Sequence, residues 1–171
     1  MLLIFCLWKT LTLSIRAHYL LLSKRIQGTI RFDLFLAESN AAVNIIFAKE
    51  SSIKFIDIHN VSAQGVLVSG LSQARSLALY IRHGWMFWSE YGSPSSISRL
   101  HLSEGSTKEK VLDHLGEVDG IAVEWETGLI YWTDYMYETI EVAKIDGTYR
   151  KTLIWQNMAN PRAITVDSRT G

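Results

Sequence analysis

Gly128-Leu-Ile-Tyr-Trp-Thr-Asp134 decides the fold of this chain, because a second copy, Gly84-Trp-Met-Phe-Trp-Ser-Glu90, lies 44 residues earlier. Two other motifs recur with the same period: an apolar tetrapeptide, and an isoleucine that begins an alternating segment. The tetrapeptides are Ser76-Leu-Ala-Leu79, Gly120-Ile-Ala-Val123 and Ala163-Ile-Thr-Val166, and the isoleucines are Ile53, Ile97 and Ile140. Three separate motifs that share a spacing of 43 or 44 residues indicate a repeat protein.

One period contains four short segments typical of β-strands, separated by turn signals. The segments are residues 121–125, 129–133, 140–145 and 150–155. Asp146-Gly147 is a strong hairpin signal, because glycine accepts a positive φ. Four antiparallel strands per period are typical of one blade of a β-propeller, whose faces are buried against neighbouring blades. We therefore predict an all-β fold.

The composition of the 171 residues excludes several classes of protein. An apolar fraction of 48% is ample for a folded core, and 17 basic against 17 acidic residues argue against a nucleic-acid binder. Cys6 is the only cysteine, so an internal disulfide framework and a cysteine-rich zinc site are excluded. No uncharged apolar stretch approaches the ~20 residues that span a bilayer.

Residues 1–43 differ from the remainder, with five basic and two acidic groups and an apolar run at residues 2–8. We expect a leader-like or poorly ordered segment. The run lacks preceding basic side chains and a nearby small-x-small cleavage site. A degenerate leader, a true signal peptide and a folded element therefore stay open. Residues 44–171 form the predicted propeller domain. Residues 43–48, 53–58, 66–68 and 163–167 are further predicted strands.

The repeated heptapeptide resembles a known family signature. Tyr131-Trp132-Thr133-Asp134 is the YWTD signature and Phe87-Trp88-Ser89-Glu90 is a relaxed copy, which together resemble the class B repeats of the low-density-lipoprotein-receptor family. The resemblance covers residues 44–171 and is clearest at 84–127 and 128–171. It implies about half of a six-bladed propeller, with the rest of a receptor chain closing the ring.

The signature residues have structural roles in this interpretation. Adjacent aromatic residues of one strand point to opposite faces, so both rings of each pair are predicted to pack in the core. Asp134 and Glu90 are predicted to accept hydrogen bonds from nearby backbone N–H groups rather than to act in catalysis.

Residues 150–164 and 44–49 are similar to the first propeller of the arrow-type Wnt co-receptors, the group of low-density-lipoprotein-receptor-related proteins five and six. That resemblance implies an extracellular ligand-binding module of a single-pass plasma-membrane receptor. Its partners would be secreted Wnt proteins or their antagonists, some of which dock through an Asn-x-Ile motif.

Loops that follow the second and fourth strands of each blade share one face, where binding residues concentrate. On this face Arg75, Asp119 and Arg162 precede three equivalent inner strands and are predicted to ring the mouth of the central channel. They form either mutual salt bridges or a charged docking site. By resemblance, Arg162 matches a ligand-contact arginine of the family and Asp119 a family aspartate.

Three further residues complete the predicted ligand face. Met136 stands where the family usually has an acidic contact residue, and Glu138 lies in the same loop. Trp155 is either a rim aromatic or a core residue. Elsewhere, Asn60-Val-Ser62 is a candidate site of N-glycosylation.

Three alternative functions share the propeller fold. A calcium-dependent propeller hydrolase needs carboxylates converging on the channel, and the three inner-strand tetrapeptides carry none. We therefore predict no enzyme, no catalytic residue, no metal and no cofactor. An endocytic or lipoprotein receptor of the same family and a nidogen-type matrix propeller share the fold and remain alternatives.

Overall fold

The computed structural model describes residues 20–24, 30–34, 44–57, 59–92, 94–103 and 105–167. These residues form three antiparallel sheets and one 3-10 turn. They contain no helix that is long and apolar enough to cross a membrane. The chain divides into two compact units, and the described residues 75–167 all belong to one of them.

The first sheet has five strands in the order in which they follow along the chain. They are β1 (Leu20–Lys24), β2 (Ile30–Leu34), β3 (Asn44–Lys49), β4 (Ser52–Asp57) and β5 (Gln64–Ser69). Strands β3 to β5 occupy the positions predicted at 43–48, 53–58 and 66–68.

Strands β1 and β2 lie within the segment predicted to be leader-like. Strand β2 pairs with β3, opposing Phe32 to Phe47. The described residues 20–24 and 30–34 are thus strands, and the leader-like or poorly ordered character of residues 1–43 stays a prediction. The apolar run at residues 2–8 lies outside the described residues.

The second sheet is the first complete four-stranded repeat. It consists of β6 (Ala74–Tyr80), β7 (Trp85–Glu90), β8 (Ser95–His101) and β9 (Glu109–Leu115). The 3-10 turn Ile81–His83 joins β6 to β7 and ends at Gly84, whose φ of 67° is left-handed. Glycine adopts that conformation without the steric cost that a side chain brings.

The third sheet repeats this arrangement. It consists of β10 (Val118–Glu124), β11 (Leu129–Asp134), β12 (Thr139–Lys144) and β13 (Lys151–Ile154). The four segments predicted from one sequence period therefore become four strands, with ends displaced by at most three residues. The alternating pattern predicts these strands well, because successive side chains of a strand point to opposite faces of the sheet and each face is buried against a neighbour.

The apolar core of residues 75–167 lies between the second and third sheets. Phe87 and Leu115 from one sheet and Trp132 and Ile130 from the other belong to one buried cluster. Tyr131 points the other way and packs with Ile140 and Ile164. Phe87, Trp88 and Trp132 are fully buried. The aromatic pairs thus pack in the core, as strand alternation predicts.

The strand predicted at residues 163–167 is not formed, and that prediction was wrong. The segment still packs against the third sheet: Ile164 is buried, and the Thr133 hydroxyl donates a hydrogen bond of 2.5 Å to the Arg162 carbonyl oxygen. A strand requires a ladder of backbone hydrogen bonds with a neighbouring strand. Among the described residues no strand pairs with this segment.

Candidate ligand-binding face

Antiparallel order places alternate loops of the second and third sheets at the same end. The ligand face, as we call that end, comprises residues 91–92, 116–117, 135–138 and 155–162. Residues 125–128 and 145–150 lie at the opposite end of the third sheet. The structure therefore places the loops that follow each second and fourth strand on one face, as expected from the sequence.

Arg75, Asp119 and Arg162 form a continuous charged row on the ligand face. The Asp119 carboxylate lies between the two guanidinium groups, with Oδ1 3.4 Å from Arg75 Nη1 and Oδ2 3.2 Å from Arg162 Nη1. The Asp119 side chain is only 6% exposed, against 31% for Arg162. The row is therefore mutually ion-paired, and its buried anion orients a partly accessible cation.

Each arginine of the row also lies over a tyrosine ring. The Arg75 Cζ is 4.1 Å from the ring centroid of Tyr91, and the Arg162 Cζ is 4.0 Å from that of Tyr135. Such cation–π contacts contribute about 0.5–1 kcal/mol at exposed sites. Ring and carboxylate together restrict the arginine rotamers, so the guanidinium of Arg162 is preorganised.

Sequence reasoning missed Tyr91, Tyr135 and Glu117. The signal was present, because each tyrosine directly follows a YWTD-type tetrapeptide and the two are 44 residues apart. The Tyr91 hydroxyl donates to Glu117 Oε1 at 3.2 Å, and Glu117 Oε2 lies 3.6 Å from Arg75 Nη1. A second carboxylate thus supports the arginine at the other end of the row.

Large apolar side chains are exposed on the same face. Met136 is 61% exposed, Tyr137 57% and Trp155 62%. The core alternative for Trp155 is therefore wrong: β13 ends at Ile154, so Trp155 has no following strand to hold it against the sheet. Glu138 is exposed and adopts a positive φ of 52° at the end of its loop.

Asp134 holds two loops of the ligand face in place. Its fully buried carboxylate accepts hydrogen bonds from the backbone N–H groups of Gly116 at 2.7 Å and Glu117 at 3.0 Å. It also accepts from Met136 at 3.1 Å and Tyr137 at 3.0 Å. The predicted role of the signature aspartate agrees with this geometry.

Glu90, the counterpart of Asp134, accepts hydrogen bonds from side chains. Its Oε1 accepts hydrogen bonds from Trp88 Nε1 at 3.2 Å, Ser98 Oγ at 3.3 Å and Lys108 Nζ at 3.0 Å. Glutamate has one methylene more than aspartate and so reaches the indole two residues before it. The corresponding Trp132 Nε1 has no partner among the described residues.

Asp113 and Arg150, which lie outside the charged row, have pKa shifts that favour their charged forms. The pKa of Asp113 is lowered, mainly by the hydrogen bond from Lys110 and then by the backbone N–H of His114. At the opposite end, the hydrogen bond with Glu141 raises the pKa of Arg150. Within the described ranges, no group of three or more His, Cys, Asp and Glu side chains is placed to hold a metal ion.

Repeated four-stranded sheets, with the aromatic pairs of the signature buried on their faces, define a segment of a YWTD-type β-propeller. Residues 128–168 match the sequence model described as low-density lipoprotein receptor repeat class B, and this part of the chain belongs to that repeat family. The resemblance predicted from the signature is thereby confirmed.

Two curated relatives are low-density lipoprotein receptor-related protein 5 from mouse and from human. The chain is 31% identical to the Mus musculus protein over 139 residues, which cover 80% of the chain and 9% of that protein. It is 28% identical to the Homo sapiens protein over 130 residues, 74% of the chain and 8% of that protein. The chain thus spans less than a tenth of the length of these relatives.

A solved structure supports the fold independently. One chain in a crystal structure of a nidogen/laminin complex superimposes with a TM-score of 0.68 and 27% sequence identity. The match covers 73% of this chain and 49% of that chain. The chain is therefore a partial propeller by both sequence and structure.

Proposed function

We propose that this chain is an extracellular ligand-binding module of a receptor of the low-density-lipoprotein-receptor family, and that it docks secreted Wnt proteins or their antagonists. The observation that carries the proposal is the setting of Arg162. Its guanidinium is oriented by Asp119 and Tyr135 and remains partly accessible on a face that also exposes Met136 and Trp155.

This combination has the properties of a protein-binding surface. Arginine, tryptophan and tyrosine are the residues enriched at the energetic centres of protein interfaces. A cation that is already held in one rotamer loses little conformational entropy on binding. A loop face on a rigid sheet scaffold is also where binding residues usually concentrate.

The proposed function is recognition, with no covalent chemistry. The similarity to low-density lipoprotein receptor-related protein 5 supports a receptor module. We place the module in the extracellular part of a single-pass plasma-membrane receptor. The remaining blades would come from the rest of the receptor chain.

The test is a charge reversal on the ligand face. Arg162→Glu in the full chain should weaken binding of a synthetic antagonist peptide that contains Asn-x-Ile by tenfold or more. Lys151→Glu is the matched control, since Lys151 is exposed at the start of β13, toward the opposite end of the sheet. Equal affinities of all three proteins in surface plasmon resonance would refute the assignment.

The structural likeness to a chain of the nidogen/laminin complex favours one second candidate, a matrix propeller. A laminin fragment and the Asn-x-Ile peptide should be offered to the same immobilised chain. Binding of laminin alone would replace the receptor proposal by the matrix function.

A further inference from the structure

We propose that the side-chain amide of Asn60 is a site of N-linked glycosylation. This inference rests on the extracellular location given under the proposed function. Asn60-Val61-Ser62 is the only Asn-x-Ser/Thr triplet of the sequence. Short triplets of this kind arise by chance, so the argument depends on where the fold places this one.

The triplet lies at the tip of the hairpin between β4 and β5. Residues 59–64 are all exposed, and Val61 is 65% exposed. At the other end of β4, the turn at Ser51 is tied down, since its carbonyl oxygen accepts a hydrogen bond from the Leu71 N–H at 2.9 Å. Of the two turns that flank β4, the one that carries Asn60 is therefore open to a bulky modification.

The backbone of the tip is ordered by its own hydrogen bonds. Asp57 Oδ1 accepts from the N–H groups of His59 at 2.8 Å and Asn60 at 3.3 Å. The Asn60 carbonyl oxygen accepts from the Ala63 N–H at 2.8 Å. These bonds keep the acceptor asparagine at the surface, where a loop that carries a glycan must lie.

The side chain of Asn60 leaves its amide nitrogen available for reaction. Its Oδ1 accepts a hydrogen bond from the Ser62 N–H at 3.3 Å, and within the described hairpin its Nδ2 has no protein partner. Nδ2 is the atom that becomes glycosylated. The Asx-type bond also folds Asn60 and Ser62 toward each other, so the amide and the hydroxyl that the reaction requires belong to one turn.

The chemistry is a group transfer from a polyisoprenyl-pyrophosphate-linked oligosaccharide. Nδ2 of Asn60 forms a bond to C1 of the first N-acetylglucosamine, the bond from C1 to the pyrophosphate oxygen breaks, and the amide loses one proton. The polyisoprenyl pyrophosphate leaves as the second product. No oxidant, reductant or metal of this chain takes part.

The repeat supplies a matched control site. The loop between β12 and β13 is the counterpart, two repeats further along the chain, of the loop between β4 and β5, and it carries Asp146-Gly147-Thr148. Asp146→Asn creates Asn-Gly-Thr at an exposed position. Because Asp146 Oδ1 accepts from the Thr148 N–H at 2.9 Å, an amide oxygen can replace it.

The experiment expresses the full chain behind a cleavable secretion leader, so that lumenal entry does not depend on residues 1–43. Protease-protected microsomal protein is treated with peptide N-glycosidase and compared by electrophoresis. The wild type should show one shifted band that the enzyme removes. Asn60→Gln and Ser62→Ala should abolish the shift, and Ser62→Thr should raise the shifted fraction.

The double variant Asn60→Gln/Asp146→Asn shows that an open loop of this chain can be modified. If the double variant shifts and protected wild-type protein does not, the Asn60 assignment is overturned. An unshifted wild type would overturn it in any case, because the leader delivers every variant to the lumen. Binding by the ligand face is measured separately, so either proposal can fail without the other.

Discussion

The Asp134 carboxylate accepts a hydrogen bond of 2.7 Å from the backbone N–H of Gly116, across the boundary between two successive blades. Strand β11, which carries Asp134, belongs to the third sheet, and Gly116 follows the last strand of the second. A Cβ atom at position 116 would overlap this carboxylate. The signature aspartate therefore links neighbouring repeats as well as shaping a loop of the ligand face.

Replacing this aspartate should loosen the linker between the blades. In Asp134→Ala, buried N–H groups lose their acceptor, at a cost of about 1–3 kcal/mol for each group left unsatisfied. Hydrogen exchange followed by mass spectrometry should show faster exchange at Gly116 and Glu117. Asp113→Ala, which removes a half-buried carboxylate of β9, should leave these two amides protected. Unchanged protection in Asp134→Ala would contradict the proposed link.

Gly120 is required by the close approach of the chain after β13. A Cβ atom there would overlap the Arg162 carbonyl oxygen and lie 3.0 Å from the Ile164 nitrogen. We expect Gly120→Ala to lower the free energy of unfolding by about 1–3 kcal/mol, as overpacking does. It should also weaken peptide binding, because Arg162 is displaced. The readouts are urea denaturation and the binding assay.

The control for this substitution is Gly92→Ala. Its Cβ would meet the Pro94 carbonyl oxygen at 3.2 Å, a contact that a small shift relieves. If both alanine variants unfold at the same urea concentration as the wild type, the segment 162–164 does not depend on Gly120.

Thr148 controls the ionisation of Asp146 in the turn between β12 and β13. The pKa of Asp146 is lowered from its ordinary 3.8, first by the side-chain hydrogen bond of Thr148 and next by its backbone N–H. Folding therefore favours the ionised form. The stability this contributes is present above the ordinary pKa and is lost as the pH falls through the lowered value.

Thr148→Val removes the hydroxyl and keeps the backbone N–H. In an NMR titration of carboxyl carbons, the pKa of Asp146 should rise part of the way to its ordinary value. Asp113, whose pKa is lowered mainly by Lys110, should titrate as before. A shift of both carboxyl groups would indicate a global change instead of the loss of one hydrogen bond.

Met136 is expected to limit affinity for basic ligands. It is exposed on the ligand face, at a position where the family resemblance implies an acidic residue. Met136→Glu should raise affinity for a basic antagonist peptide by up to about fivefold, since exposed ion pairs are worth about 0–1 kcal/mol. The gain should shrink in high salt. Met136→Gln is the neutral control, and an equal gain in that variant would exclude charge as the cause.

Position within the repeat was easier to predict than side-chain contact. The row of Arg75, Asp119 and Arg162 follows from the sequence, because its members occupy equivalent positions before successive inner-strand motifs. Tyr91 and Tyr135 were missed, since their rings meet the arginines only once the loops are folded over the strand ends. The extra reach of Glu90 to the Trp88 indole likewise depends on a rotamer that the pattern does not contain.

The sequence by itself determined the repeat, its four strands, the turn at Asp146-Gly147 and the burial of the aromatic pairs. These features are local, since they depend on the two-residue period of a strand and on glycine conformations. Only the tertiary structure decided that Asp119 pairs with both arginines, that Trp155 is exposed and that residues 163–167 pack without forming a strand. Each of these depends on which partner lies across from a residue, and separations of 43 or 44 residues along the chain become distances of 3.2 and 3.4 Å only in the folded protein.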